Sequence, residues 1–127
     1  MAVFGRYDSL IGVKASATFA SKQYYVCKAA STARQVKPAA SNTGVLIGVV
    51  QNDPAALEVA DVAISGIAKA AAETGISWGS PLTVSSTGRV KLCNTNGQTV
   101  VGYALEASST AGDIIGVMIS LGFYHAT

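Results

Sequence analysis

Seven carboxylates, one histidine and two cysteines are the groups in this chain best suited to chemistry. Among the acids, Glu106 and Asp113 invite a catalytic reading, since one closes a strand-like run and the other opens the next. Two carboxylates facing each other across a turn are the device of a glycoside hydrolase, one donating a proton while the other attacks or activates water. Asp53 precedes Pro54, which is ordinary turn chemistry. His125, close to the C-terminal end, has no nucleophile and acid beside it to make a triad, and a zinc site recruits more than one His or Cys. Cys27 and Cys93 read as small, partly buried hydrophobes rather than a disulfide. Gly44-Val-Leu-Ile-Gly48 lacks the Lys-Ser/Thr of a phosphate-binding loop, and no helix follows it. Tyr24, Tyr25, Trp78 and Tyr103 offer flat surfaces for a sugar or a base. Trp78 with Tyr103 is the platform that a carbohydrate-binding or adhesion module would use. Tyr24 and Tyr25, adjacent on a strand, would face opposite ways. The inventory yields no catalytic residue, no metal set and no cofactor site, and it leaves Glu106 and Asp113 as solvated strand ends.

The elements that carry these residues show an internal echo. Val45-Leu-Ile-Gly-Val-Val-Gln-Asn-Asp-Pro54 leads through a short connection to Val59-Ala-Asp-Val-Ala-Ile-Ser-Gly66, a strand, a proline-containing link and a second strand. Thr99-Val-Val-Gly-Tyr-Ala-Leu-Glu106 and Asp113-Ile-Ile-Gly-Val-Met-Ile-Ser120 do the same. Gly48 matches Gly102 at an offset of 54, and Ile64-Ser65 match Ile119-Ser120 at an offset of 55. One extra residue in the connection accounts for the difference. A mid-strand glycine permits a bulge, a bend or a close backbone approach, and Gly48 and Gly102 are read as the bends that let each half curl.

Around this pair, Val13, Ala15, Ala17 and Phe19 alternate with polar residues as in a half-buried strand. Gln23–Cys27, Arg34–Lys37, Ile67–Ala71, Pro81–Ser85 and Arg89–Cys93 read as further strands, and Asn52–Leu57 as a link with a single helical turn at Pro54. Asn96-Gly97 is a hairpin signal. The sum is an all-β sandwich or small barrel of about ten short strands built from two similar halves. Its organisation is one domain over 1–127, with an N-terminal arm at 1–12, a first β repeat at 20–66, a bridge at 67–79 and a second repeat at 80–122.

Bulk composition narrows the partners. Of 127 residues half are hydrophobic and only 13% charged, against about 25% in an ordinary soluble domain. So few charges suit a surface covered by other chains, an oligomer or a larger assembly. A net charge of +2 from scattered basic residues gives no nucleic-acid footprint. The apolar runs are broken well before the roughly 20 residues of a membrane-spanning helix, and the opening residues do not form a secretory signal. Synthesis in a reducing cytoplasm is the expectation.

Ser21-Lys-Gln-Tyr-Tyr-Val26, Val45–Pro54, Ala60-Asp-Val-Ala-Ile-Ser-Gly66, Ile76-Ser-Trp-Gly-Ser-Pro-Leu-Thr-Val84, Ser86-Thr-Gly-Arg-Val90 and Val101-Gly-Tyr-Ala-Leu-Glu-Ala107 follow in an order that resembles the small capsid decoration, or cement, proteins of tailed bacteriophages. The resemblance spans residues 13–121 and departs at Trp78, where relatives usually carry a small residue. It implies a compact fold related to the β-tulip, and homotrimers at threefold and quasi-threefold positions on the outside of an expanded head. There they would clamp the major capsid protein against the pressure of packaged DNA. It implies no cofactor, no reaction, no nucleic acid and no membrane. Residues 1–12 lie outside it. As an unpaired arm they would add a strand to an exposed capsid sheet edge, with Arg6 and Tyr7 as anchors.

Overall fold

The computed structural model describes residues 9–41 and 45–123. Arg6, Tyr7, His125 and Gly44 fall outside them. The described chain forms nine strands: β1 Ser9–Ala15, β2 Val26–Ala29, β3 Gln35–Pro38, β4 Leu46–Val50, β5 Val59–Ala72, β6 Pro81–Val84, β7 Val90–Leu92, β8 Thr99–Ala104 and β9 Asp113–Phe123. The fold is all-β, as the closely spaced β-branched runs and their Gly, Pro and Asn punctuation require.

The strands close into two small rings. In the first, β1 pairs with β3, β3 with β2, β2 with β4, β4 with β5, and β5 returns to β1. In the second, β5 pairs with β7, β7 with β6, β6 with β8, β8 with β9, and β9 returns to β5. Each ring is a five-stranded barrel with no free edge, which removes the hazard of unpaired strand borders. The two barrels share β5. Its residues 59–65 finish the first barrel, and residues 66–72 begin the second. The change-over falls at Gly66, which has a φ of 79° beside a register shift in the β1–β5 ladder. A left-handed residue inside a strand is a bulge position that glycine occupies without strain.

The registers of the two barrels correspond residue by residue. Cys27 opposite Gly48 becomes Leu82 opposite Gly102, and Val49 opposite Ala63 becomes Tyr103 opposite Met118. The parallel pairing of Ala15 with Val36 becomes that of Ala72 with Val90. Loops correspond too. Tyr24 N–H donates to the Val50 carbonyl at 2.8 Å and Gly79 N–H to the Ala104 carbonyl at 2.8 Å, with φ of 70° and 85° at the two donors.

Several sequence expectations change. Residues 9–12, expected in the arm, are the first half of β1 and pair with β5. The strand expected through Phe19 ends at Ala15, because Phe19 turns in to fill the barrel end, its N–H donated to the Pro54 carbonyl at 2.8 Å. Ile67–Ala71 does not form a separate strand but continues β5. No helical turn forms at Pro54; the Asn52 side chain spans the link instead, donating to the Val59 carbonyl and accepting from Asp61 N–H, both at 3.0 Å. Asn96-Gly97 makes a tight turn but not a hairpin, since β6 lies between β7 and β8. Tyr24 and Tyr25 precede β2 in a turn and do not alternate on a strand.

The first barrel encloses Ala15, Phe19, Cys27, Val36, Val50, Ala60 and Val62. The second encloses Leu82, Val84, Val90, Val101, Ala104, Ile115 and Val117. Val26, Val49 and Ala63 form a cross-strand row on the outer side of the first barrel, yet each is fully buried and belongs to the second barrel's cluster. The two barrels are therefore packed as one body.

Candidate functional site

Among the described residues, Glu106 and Asp113 are each engaged with backbone N–H groups. Glu106 Oε1 accepts the Gly116 N–H at 2.6 Å, the duty that Asn52 Oδ1 performs for Asp61 in the first barrel. Asp113 Oδ2 accepts the Thr110 N–H at 3.1 Å and the Ser109 N–H at 3.3 Å. Each carboxylate thus ties down its own end of the β8–β9 connection, and a turn-closing role explains both. Asp53 is exposed in the link after β4. Cys27 and Cys93 are free and buried. Burial pushes the Cys27 thiol up to about 12, so it stays protonated and is no nucleophile. Burial raises the Cys93 thiol as well. Among the described residues no three His, Cys, Asp or Glu side chains gather as a metal set.

Gly48 and Gly102 each mark a close approach of backbone to backbone. A Cβ on Gly48 would run into the Ala63 carbonyl oxygen, and one on Gly102 into the Met118 carbonyl oxygen, its counterpart. Both ladders shift register beside these glycines.

Polar contacts concentrate where the barrels meet. Glu73, just after β5, accepts from the Thr87 hydroxyl at 2.7 Å, the Ser85 hydroxyl at 2.8 Å and Arg89 Nη1 at 3.2 Å. Arg89 Nε donates onward to the Tyr25 hydroxyl of the first barrel at 3.2 Å. The Gln51 amide donates to the Lys69 carbonyl at 2.9 Å, and the Lys69 ammonium lies 5.9 Å from the Tyr24 ring centroid. The Thr87 hydroxyl, with Ser85 and Arg89, holds the Glu73 carboxyl below its usual value of about 4.5. A lowered folded pKa stabilises above the unfolded value and is lost as pH falls through the folded one. Glu73→Gln removes that dependence. From pH 5 to 3 the parent chain is expected to lose on the order of 1 kcal/mol more stability than the variant, read from urea unfolding.

The exposed surface has its own pattern. Trp78 is 73% exposed on the loop before β6, and Tyr103 and Met118, cross-strand partners on β8 and β9, are exposed as well. The loop that carries Trp78 bonds through Gly79 and Ser80 to Ala104, next to Tyr103, while Tyr24 and Tyr25 lie at the barrel junction. A groove of about 390 Å³ runs past Gly12, Lys14, Arg34 and Val59 on the first barrel. Another, of about 450 Å³, gathers Lys22, Lys28 and Lys37, with Lys28 and Lys37 directly opposite across β2 and β3. In the sequence these basic residues look scattered; the β2–β3 pairing brings them together. Like charges so placed cost stability.

No curated protein matches the sequence. Among solved structures, the head fiber gp8.5 N base of bacteriophage phi29 shares the fold, with a TM-score of 0.71 at 18% identity, over 93% of this chain and 98% of that one. A family model for phage cement proteins matches residues 11–119, nearly all of the two-barrel body. The chain belongs to the phage cement protein family and is a structural protein of a phage.

Proposed function

We propose that this protein decorates the outer surface of the expanded phage head, as homotrimers at threefold and quasi-threefold positions, and clamps neighbouring major capsid subunits against internal DNA pressure. Membership of the cement family carries this reading. The fold shared with a head fiber base and the low charge of the chain support it. A cement needs many modest contacts, and a trimer engaging three sites gains avidity of about 10²–10⁴ over one. No cofactor and no reaction enter this role. The rigid two-barrel body holds the contact surfaces in place, with Gly48 and Gly102 as the bends that let each barrel curl. Synthesis in the host cytoplasm precedes assembly onto the virion.

Arg6 and Tyr7 remain the anchors we assign to the capsid-facing arm. Since residues 9–12 belong to β1, the arm proper is residues 1–8, and a deletion that tests it must stop there. Purified protein is expected to co-sediment with expanded heads of its phage and to raise their resistance to heat. Deleting residues 2–8 is expected to weaken that binding at least tenfold while leaving the melting temperature of the free protein unchanged. Protein that stays in the supernatant with expanded heads would refute the capsid role, and full binding by the deletion variant would refute the arm. Binding to a glycan array, lost in Tyr103→Ala, would favour a carbohydrate-binding module instead.

A further inference from the structure

The duplication shows which contacts one chain leaves unfinished. Within the chain, the loop at 22–25 of the first barrel seats on the second. The Tyr24 carbonyl accepts Ala71 N–H at 2.9 Å, and the Gly88 carbonyl accepts Val26 N–H at 2.9 Å. The cleft at this junction has Gln23, Tyr24 and Tyr25 on one wall and Ala71, Arg89 and Ile114 on the other.

Each wall has a counterpart elsewhere. By the barrel correspondence, loop 22–25 matches loop 77–80, which makes the same backbone bonds and carries Trp78 where the first loop has Gln23. Ala71, Arg89 and Ile114 match Lys14, Gln35 and Val59, which line the 390 Å³ groove of the first barrel. No described residue fills that groove, and no described residue covers Trp78's loop. The same holds for the sheet face beside it. Val26, Val49 and Ala63 are buried beneath the second barrel, whereas two of their counterparts, Tyr103 and Met118, are 39% and 44% exposed. Among the described residues, one chain therefore presents both halves of its own internal contact, each without its mate.

We propose that a second copy of this chain seats its Trp78 loop in the Gly12–Lys14–Arg34–Val59 groove, repeating between chains the contact that joins the barrels within each. This names the surface of self-association and rests on the homotrimer part of the proposed function. The chemistry suits the occupant. Val59 and the stems of Lys14 and Arg34 offer apolar area to an indole, and their charged heads lie within reach of its face. Gly12 keeps the groove floor open, for a Cβ there would stand 3.3 Å from Val59 Cγ1. Pro81 replaces Val26 and has no N–H, so of the two backbone bonds that seat loop 22–25 only the one accepted by the Tyr24 carbonyl, whose counterpart is Gly79, can recur between chains. The contact is head to tail, and such contacts close into rings when the rotation permits.

Sedimentation and cross-linking test this. The parent chain is expected to sediment as an oligomer. Trp78→Glu, at an exposed position, is expected to remain folded by circular dichroism and to weaken association at least roughly 30-fold. A chain carrying Trp78→Cys mixed with one carrying Arg34→Cys is expected to form a mixed disulfide on oxidation, while neither forms one alone. A monomeric parent chain, an unchanged oligomer in Trp78→Glu, or cross-links only between like variants would each overturn the inference. A chain that associates through this contact but ignores phage heads would leave the inference standing and refute the capsid role. Equal coating of heads by parent and Trp78→Glu chains, both monomeric in solution, would do the reverse.

Discussion

Gly102→Ala and Gly48→Ala are each expected to destabilise the protein by about 3 kcal/mol, the upper part of the range for an overpacked interior. The obstacle at each site is a carbonyl oxygen of the neighbouring strand, Met118 for Gly102 and Ala63 for Gly48, and Val62 Cγ1 adds a second contact at 2.9 Å from a Cβ on Gly48. A flexible side chain could swing aside; a backbone group inside a hydrogen-bonded ladder cannot do so without shifting the ladder. A closed barrel gives that shift nowhere to go, since moving β9 disturbs its pairing with both β5 and β8. Gly122 is the control. A Cβ there meets nothing within 4 Å, so Gly122→Ala is expected to change stability by less than about 0.5 kcal/mol. Chemical denaturation of the three variants measures the difference. Equal, small effects at Gly48, Gly102 and Gly122 would show that the close approach is not a constraint.

Phe19→Ala is expected to cost about 3–5 kcal/mol, the range for removing a buried aromatic ring. Phe19 is fully buried and is the largest side chain in a cluster whose other buried members are Ala, Cys and Val, with Ile11, Val13, Ile47 and Ile64 packed against it. The walls are fixed by a closed ring of pairings, which limits how far the surrounding side chains can move in, so a cavity persists. The variant is also expected to lose both barrels together. β5 belongs to both rings, and Val26, Val49 and Ala63 of the first barrel are buried with the second barrel's core. Near-ultraviolet circular dichroism from Tyr24 and Tyr25 at the barrel junction and far-ultraviolet circular dichroism should trace one coincident unfolding transition. A first barrel that melts early while the second persists would contradict the shared core.

The part of the duplication legible in the sequence is the part where backbone sterics dictate residue type. Gly48 and Gly102 match because no other residue fits under a carbonyl at that position, and the flanking β-branched residues mark strands in any context. The match between β1 and the second half of β5 is invisible, since Ser-Leu-Ile-Gly-Val-Lys-Ala and Gly-Ile-Ala-Lys-Ala-Ala-Ala agree only at their last residue. Ile11 and Val13 face one core and Ala68 and Ala70 another, and packing volume rather than backbone geometry chose them. The same cause divided β5 in two and made a bridge of its second half. Asn96-Gly97 signals a turn faithfully, but a turn does not say which strands it joins into a ladder, and β6 takes the place between β7 and β8.

The exposed site was legible as residues and not as a site. Trp78 stands out in the sequence as the single tryptophan, and Tyr103 and Met118 are apolar residues on strands. That Val49 and Ala63, the counterparts of Tyr103 and Met118, are buried while these two are open depends on the barrel packing, as does the groove made by Gly12, Lys14, Arg34 and Val59. Glu106 and Asp113 show the converse. Their spacing suggests acid–base chemistry, and the structure turns Asp113 toward backbone N–H groups of its own connection and Glu106 toward the Gly116 N–H of β9.

The role as a capsid cement is tested most directly by imaging. Expanded heads lacking this protein, incubated with the purified chain and viewed by cryo-electron microscopy, should gain density on their outer surface at three-coordinated positions, of a size that holds three copies of the two-barrel body. Heads that remain bare under saturating protein, or that carry it only inside the shell, would contradict the account.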